Sequence, residues 1–229
     1  MTANKYVYPL KELFYQKRND KNARQMKKYM KEHFEFFGIK SPQRKEITKE
    51  FFKKYDLPET GQVPEILKYL WQLPQREFQY FGINLLEKDI KREISESRIN
   101  LYKYLIEHKS WWDSVDGLST IVGMFFKKNP DITEKYMNEW NQSENMWLNR
   151  VSIIYQLKYK SEINTKLLSR YILRHALSKE FFHRKAIGWA LREYSKTEPE
   201  FVIKFVDTHN LSTLSKNEAL KVINRTKNN

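Results

Sequence analysis

The sequence predicts an all-α fold built from repeated helix pairs, and three observations carry that expectation. Apolar residues recur at three- and four-residue spacing, as in Leu67, Leu70 and Trp71, or Phe78, Phe81 and Leu85. The same spacing links Ile153 with Leu157, and Ile187 with Leu191 and Tyr194, while period-two alternation is nearly absent. Only 6 Gly and 7 Pro in 229 residues leave little room for the tight turns of a β-sandwich. Abundant Lys, Glu, Leu, Ile and Arg favour helix, with 14 Phe, 14 Tyr and 6 Trp to pack it. Beneath the helical period lies a slower one: Phe78, Trp112, Trp147 and Phe181 are 34, 35 and 34 residues apart.

Taken in order, the elements fit this longer period. Extending the series by 34 residues reaches Arg44 in SPQRKEI and Ser215 in LSKNEAL, both near the openings of predicted helices. Ser41, Ser110, Ser143, Ser178 and Ser215 stand before helices as candidate caps for orphan amides. Further helices fill the intervals, as in INLYKYLIEH (99–108) and TKLLSRYILRHAL (165–177). The segments 145–159 and 181–196 read as second helices of later repeats. The loop YDLPETGQVPE (55–65) is the clearest break, but it lies inside the series, so a single domain over 1–229 is expected. Two helices per ~34–45 residues are the signature of an α-solenoid. The tetratricopeptide pattern is missing, and HEAT-like pairs fit better. The expectation is a right-handed α-solenoid of roughly six HEAT-like repeats, with second helices lining a concave basic groove. An irregular bundle with chance spacing is the alternative.

Composition narrows the function. The 42 Lys and Arg exceed the 28 Asp and Glu, giving +14. That surplus favours a polyanion such as nucleic acid or an anionic membrane surface, although solubility alone also accounts for it. With no cysteine, disulfides and cysteine-based zinc sites are excluded. His33, His108, His175, His183 and His209 show no metal-ligand spacing, so neither metal nor cofactor is expected. The opening MTANKYVYPLKELF lacks signal-peptide architecture, and no apolar run approaches ~18 residues. A cytoplasmic chain with no membrane partner is expected.

The stretch SWWDSVDGL (110–118) holds two tryptophans and two aspartates in six consecutive positions. Ser110 and Asp113 have the spacing of a capping box. Trp111, Val115, Leu118 and Val122 form an apolar stripe. Trp112 and Asp116 share a different face at i and i+4, with Ser119 and Gly123 nearby. Pairing of Asp116 with a neighbouring Lys or Arg, and packing of Trp112 between repeats, is the plainer account. In the next repeats Arg150 follows Trp147, and FFHRKAIGWALREYSK supplies Arg184, Lys185, Trp189 and Arg192. If second helices line one face, Trp112, Asp116, Arg150 and Trp189 converge on one groove suited to a nucleic-acid backbone.

At these residues the sequence resembles the AlkD family of bacterial DNA alkylpurine glycosylases, which have a HEAT-like repeat fold. The motifs are SWWDSVD (110–116), WLNRVSIIYQLKYK (147–160) and SKEFFHRKAIGWALREYSKT (178–197), with YMKEHFEFFGIKSPQRK (29–45) and LWQLPQREFQ (70–79) in support. The resemblance implies Asp116 as the catalytic carboxylate, Trp112 and Trp189 against the lesion nucleotide, and Arg150 near a phosphate. It implies DNA contacts at Tyr29, Lys40, Ser41, Arg44 and Lys45 and at Lys158, Arg184, Lys185 and Arg192. Lys40, Ser41 and Lys45 depart from the family's residues, which bears on phosphate affinity more than on chemistry. The implied partner is double-stranded DNA containing alkylated purines, bound by a monomer that keeps the lesion stacked or only partly displaced. The competing expectations are a non-catalytic binder of branched or damaged DNA and a helical-repeat interaction scaffold.

Overall fold

The computed structural model describes residues 2–227. Among them are thirteen α-helices, two short 3-10 turns and no β-strand. The chain divides into two compact units, Met1–Leu101 and Tyr102–Asn229. The first holds α1 (Ala3–Gln16), α2 (Asp20–Tyr29), α3 (Ser41–Lys54), α4 (Val63–Gln72) and α5 (Arg76–Asp89), and the division falls inside α6 (Arg98–Glu107). The second continues with α7 (Trp112–Lys128), α8 (Pro130–Asn141), α9 (Met146–Ile154) and α10 (Thr165–Arg174). It closes with α11 (Phe181–Tyr194), α12 (Pro199–Thr208) and α13 (Thr213–Lys227).

The slow period is the repeat of this fold. Arg44, Phe78, Trp112, Trp147, Phe181 and Ser215 all fall in the first four residues of α3, α5, α7, α9, α11 and α13. Each of these helices is preceded by a partner helix, which is the shorter of the two in every pair except α8 and α9. In the second unit α7 packs on α9, α9 on α11, and α11 on α13. In the first, α5 packs on both α3 and α4.

The two kinds of helix bury different surfaces. First helices are amphipathic: α4 buries Val63, Ile66, Leu67, Leu70 and Trp71, and α10 buries Leu167, Leu168, Tyr171 and Ile172. The second helices α5 and α9 are enclosed on several sides, and α9 buries every residue from Trp147 to Ile154. Each fully buried Leu, Ile or Val contributes ~1.5–3 kcal/mol, so this row of second helices dominates the second unit's core. Buried amides fix the turns within pairs. The Asn149 side chain donates to the carbonyls of Trp140, Asn141 and Ser143 at 2.9, 3.2 and 2.9 Å. Gln79 likewise donates from α5 to Leu70 and Leu73 at 2.7 and 3.2 Å. Both close the end of the preceding helix, whose last carbonyls otherwise lack partners.

Several local expectations are corrected. The serines do not cap as the pattern implies. The N-cap of α7 is Trp111, without a side-chain cap bond, and the Ser110 hydroxyl turns back to Ile106 O at 2.5 Å. Ser110 therefore closes α6 instead of opening α7. Ser41 is the first residue of α3, which starts through Pro42 in its opening turn. Asn145 caps α9, accepting from the Trp147 and Leu148 amides at 2.9 and 3.4 Å, while Ser143 accepts from Asn145 N. Ser178 precedes the cap residue Glu180 and receives its amide. Ser215 lies within α13 and bonds Arg184 O at 3.0 Å. The break at 55–65 is shorter than it reads, because Thr60–Gln62 is a 3-10 turn and α4 begins at Val63. The helix expected over 145–159 ends at Ile154, where Leu157 N and Tyr159 N tighten to three-residue bonds.

Candidate functional site

Four helices of the second unit build the site. The first turn of α7 supplies Trp112, and the next turn supplies Asp116. Arg150 comes from α9, and α11 brings Phe181, Phe182, Lys185, Trp189 and Arg192. Glu218 enters from α13. Together these nine residues line one open cleft of about 290 Å³.

At its base lies an ion pair. Arg150 Nε donates to Asp116 Oδ1 at 2.8 Å, and Nη2 donates to Oδ2 at 2.9 Å. This bidentate fork is the strongest geometry available to a carboxylate and a guanidinium. Arg150 Nη1 also donates to the Phe182 carbonyl at 2.9 Å, so three of its five N–H groups are committed inside the protein. The Arg150 side chain is 5% exposed and that of Asp116 20%. Burial raises the Asp116 carboxyl above the usual aspartate range, and the Arg150 hydrogen bonds and charge pull it back. The pairing of Asp116 with a neighbouring arginine, the plainer expectation, is thus present. It faces a cleft instead of closing a core.

Aromatic rings frame the pair. Trp111, Trp147 and Phe182 pack edge to face or tilted, with centroids 5.8, 5.2 and 4.8 Å apart. This cluster anchors the openings of α7, α9 and α11, where the site residues start. Val115, Leu118 and Val122 continue the apolar stripe from Trp111 and are fully buried. Trp112 and Trp189 remain half-buried on the cleft wall, and Arg150 Cζ lies 5.9 Å from the Trp189 ring centroid.

Glycines set the distances between helices. A Cβ on Gly123 would lie 2.1 Å from Tyr155 O, so α7 and α9 approach this closely only because no side chain is there. Ser119, on the same face, is buried and donates to Val115 O. The lower part of the Trp112–Asp116 face is therefore a helix contact and not an open surface. A Cβ on Gly188 would lie 2.5 Å from Glu218 Cβ and 3.1 Å from Ser215 O. That close packing of α13 on α11 delivers Glu218 into the cleft.

Glu218 changes the electrostatics expected there. Lys185 Nζ meets its Oε1 at 2.8 Å, and Arg192 Nη1 pairs with its Oε2. The two cations hold the Glu218 carboxyl below the usual glutamate range, Lys185 most strongly. Three cations and two carboxylates leave this cleft with one positive charge in excess.

Other residues singled out in the sequence lie elsewhere. Arg184 spends its Nε on Ser178 O at 2.9 Å and does not line the cleft. Lys158 is exposed beyond the end of α9. Tyr29, Lys40, Ser41, Arg44 and Lys45 belong to the first unit. Tyr29 ends α2 with 71% exposure, and Lys40, Ser41 and Lys45 are exposed at the opening of α3. Arg44 is half-buried, its guanidinium 4.1 Å from the Tyr80 ring centroid. The α3 opening is held by Glu77, which is fully buried and accepts the Phe37, Gly38 and Ile39 amides at 3.1, 2.9 and 3.1 Å. Gly38 adopts φ +85°, and a side chain there would strike Asn19 O.

Sequence reasoning missed Glu218, Phe181 and Phe182. A signal for Glu218 exists: Asp116 and Arg150 are 34 residues apart, and Lys185 and Glu218 are 33 apart. Ion pairs between successive second helices thus recur at nearly the repeat length. Among the described residues, no three His, Asp or Glu side chains cluster as a metal site requires, and no helix is long and apolar enough to cross a membrane.

Fold and cleft together define a helical-repeat protein with a bidentate carboxylate–arginine pair between two tryptophans. The family model described as DNA alkylation repair enzyme matches residues 10–223, and the chain belongs to that family. A predicted DNA alkylation repair enzyme from Enterococcus faecalis is 32% identical, with a TM-score of 0.83 over 89% of this chain and 95% of that chain. AlkD2 from Streptococcus mutans is 18% identical with a TM-score of 0.59, covering 78% of this chain and 87% of its own. The protein smu.31 from Streptococcus mutans UA159 gives 18% and 0.58, over 89% and 96%. These last two share the fold. No protein of curated function matches the chain.

Proposed function

We propose that the protein is a DNA glycosylase hydrolysing the N-glycosidic bond of N3- or N7-alkylated purines, such as 3-methyladenine and 7-methylguanine, in duplex DNA. The observation that carries this reading is the Asp116–Arg150 fork, a largely buried carboxylate facing an open cleft between Trp112 and Trp189. Membership of the DNA alkylation repair family supports the DNA substrate.

Alkylation at N3 or N7 makes the purine cationic. When its bond to the sugar C1′ breaks, the electron pair passes to the base, which leaves neutral and needs no general acid. One carboxylate therefore suffices, unlike the acid–base pairs of most glycoside hydrolases. Positive charge develops on the deoxyribose, and Asp116 stabilises it and orients the water that adds to C1′. That water's proton passes to solvent, leaving an abasic site. Arg150 is a positioning residue in this scheme, because its fork aims both carboxylate oxygens. Trp112 and Trp189 present ring faces to the sugar cation, each contact contributing ~0.5–2 kcal/mol.

Lys185 and Arg192 meet a phosphate near the lesion by exchanging Glu218 for it. Tyr29, Lys40, Ser41, Arg44 and Lys45 contact the backbone from the first unit, with Lys158 and Arg184 peripheral. A cleft of about 290 Å³ is at or below the lower end of the ~300–1,000 Å³ typical of ligand pockets. Its openness supports a lesion kept stacked or partly displaced in place of full extrusion. The reading takes the chain as a cytoplasmic monomer.

The test is incubation with methylated duplex DNA under single-turnover conditions and chromatography of the released bases. Release of 7-methylguanine or 3-methyladenine above the spontaneous rate is expected, and a rate no higher than spontaneous overturns the reading. Trp112→Ala is expected to slow release by roughly threefold to thirtyfold, corresponding to ~0.5–2 kcal/mol.

A further inference from the structure

The first unit carries an unneutralised lysine cleft that the site in the second unit does not use. Lys45, Lys49 and Lys53 of α3 and Lys88 and Lys91 at the end of α5 surround a shallow cleft of about 550 Å³. All five side chains are exposed, and no ion pair engages any of them among the described residues. Some lysines elsewhere are paired, as Lys27 is with Glu35, Lys103 with Glu139, Lys127 with Glu162, and Lys196 with Glu193. Within the cleft the single carboxylate, Glu87, accepts from Asn84 Nδ2 at 3.3 Å.

Fold stability does not account for this arrangement. Lys53 and Lys88 lie in the last turns of α3 and α5, where a cation complements the helix dipole. Lys45 and Lys49 lie before the last turn of α3 and have no such role. Like charges four residues apart on a helix repel, and along Lys45–Lys49–Lys53 only Glu46 and Glu50, three residues before Lys49 and Lys53, offset that repulsion. A partner of opposite charge relieves that repulsion.

We propose that this cleft is a docking track for a nucleic-acid phosphate backbone. From Lys45 to Lys53 the helix rises about 12 Å, over which one strand of duplex presents roughly three phosphates. The cations are all lysines, which act as point charges, and the cleft has no arginine fork for reading base edges. The track is therefore indifferent to sequence and to lesion, and it extends the phosphate contacts proposed for Lys40 and Ser41 along α3. The inference rests on the DNA-binding part of the proposed function but not on base release.

Full-length protein carrying Lys49→Gln, Lys53→Gln and Lys91→Gln together tests it, against the matching Lys→Arg triple. Anisotropy of an undamaged labelled duplex is measured across a KCl series, with thermal melting to verify folding. The Gln triple is expected to weaken binding at least tenfold and to reduce the magnitude of the salt slope by roughly 2–3, at about 0.9 per lost phosphate contact. The Arg triple is expected to keep the wild-type slope. An unchanged slope in a folded Gln triple overturns the proposal. So does a loss confined to binding of polyglutamate, which assigns the cleft to an acidic protein. If wild type releases no base yet the slope falls as expected, the glycosylase reading fails and the track stands. Normal base release with an unchanged slope has the opposite meaning.

Discussion

At the scale of single residues, the site is governed by one carboxylate that the protein buries and then supports. Desolvation lifts Asp116 and the Arg150 fork restrains it. In the proposed reaction the carboxylate is the reactive form, so base release is expected to fall as pH drops through the raised Asp116 pKa, higher than for an exposed aspartate. Arg150→Gln removes the restraint, and the acid limb of the pH–rate profile is expected to move to higher pH. Leaving a buried charge unpaired also costs roughly 3–5 kcal/mol, so the variant is expected to melt earlier. An acid limb that stays in place would show that Arg150 does not act through Asp116. Glu218 makes the reverse kind of prediction. Glu218→Gln frees Lys185 and Arg192 and removes a charge that repels phosphate. Duplex affinity is expected to rise roughly threefold to tenfold, the effect of ~0.7–1.4 kcal/mol, with a steeper salt slope; an unchanged affinity would mean no phosphate reaches these cations. The Trp112–Asp116 pairing was legible because helical spacing separates it from the Trp111 stripe. Glu218 was not, since taken alone a Glu on a polar helix looks like any solvated one, and only its 33-residue spacing from Lys185 sets it apart.

At the scale of elements, the repeat was legible and the joints were not. Large aromatic or helix-opening residues every 34–35 positions mark the second helices because each repeat needs a bulky anchor where its helix enters the core. The joints depend on individual backbone groups, and serine is a weak guide to them. Ser110 bonds backward to α6, whereas Asn145 performs the capping that Ser143 was expected to do. Helix α9 stops at Ile154 because the chain there lies against Gly123, with Tyr159 Oη bonding the Gly123 carbonyl at 2.6 Å. Gly123→Ala is therefore expected to force α7 from α9, destabilising the protein by at least ~1–3 kcal/mol and separating Asp116 from Arg150. Urea denaturation measures the first effect and single-turnover release the second. A variant with wild-type stability would show that the close approach is not required.

At the scale of the whole molecule, the net charge of +14 and the family's DNA substrate agree, yet the surplus is unevenly spent. The Asp116–Arg150 cleft holds one excess positive charge, while the α3–α5 cleft holds five lysines and a single carboxylate. Composition gave the sign of the partner, but this distribution needed the fold. Acid sensitivity has a separate source in His183. Burial and the adjacent His175 depress its pKa to about 4. Its contribution to folding is complete above the ordinary histidine pKa of ~6.5 and is lost as pH falls toward 4. Tm is expected to decline across that window, and His183→Gln to flatten the decline; an equally steep profile in the variant would assign it to other groups. In the proposed function Asp116 stabilises the sugar cation formed as an alkylated purine leaves. The most direct test of that role is Asp116→Asn, compared with wild type for both duplex binding and single-turnover release of 7-methylguanine. Binding is expected to be retained and release to fall by at least a hundredfold, or ~2.7 kcal/mol. Release at the wild-type rate by a folded, DNA-binding Asp116→Asn protein would contradict it.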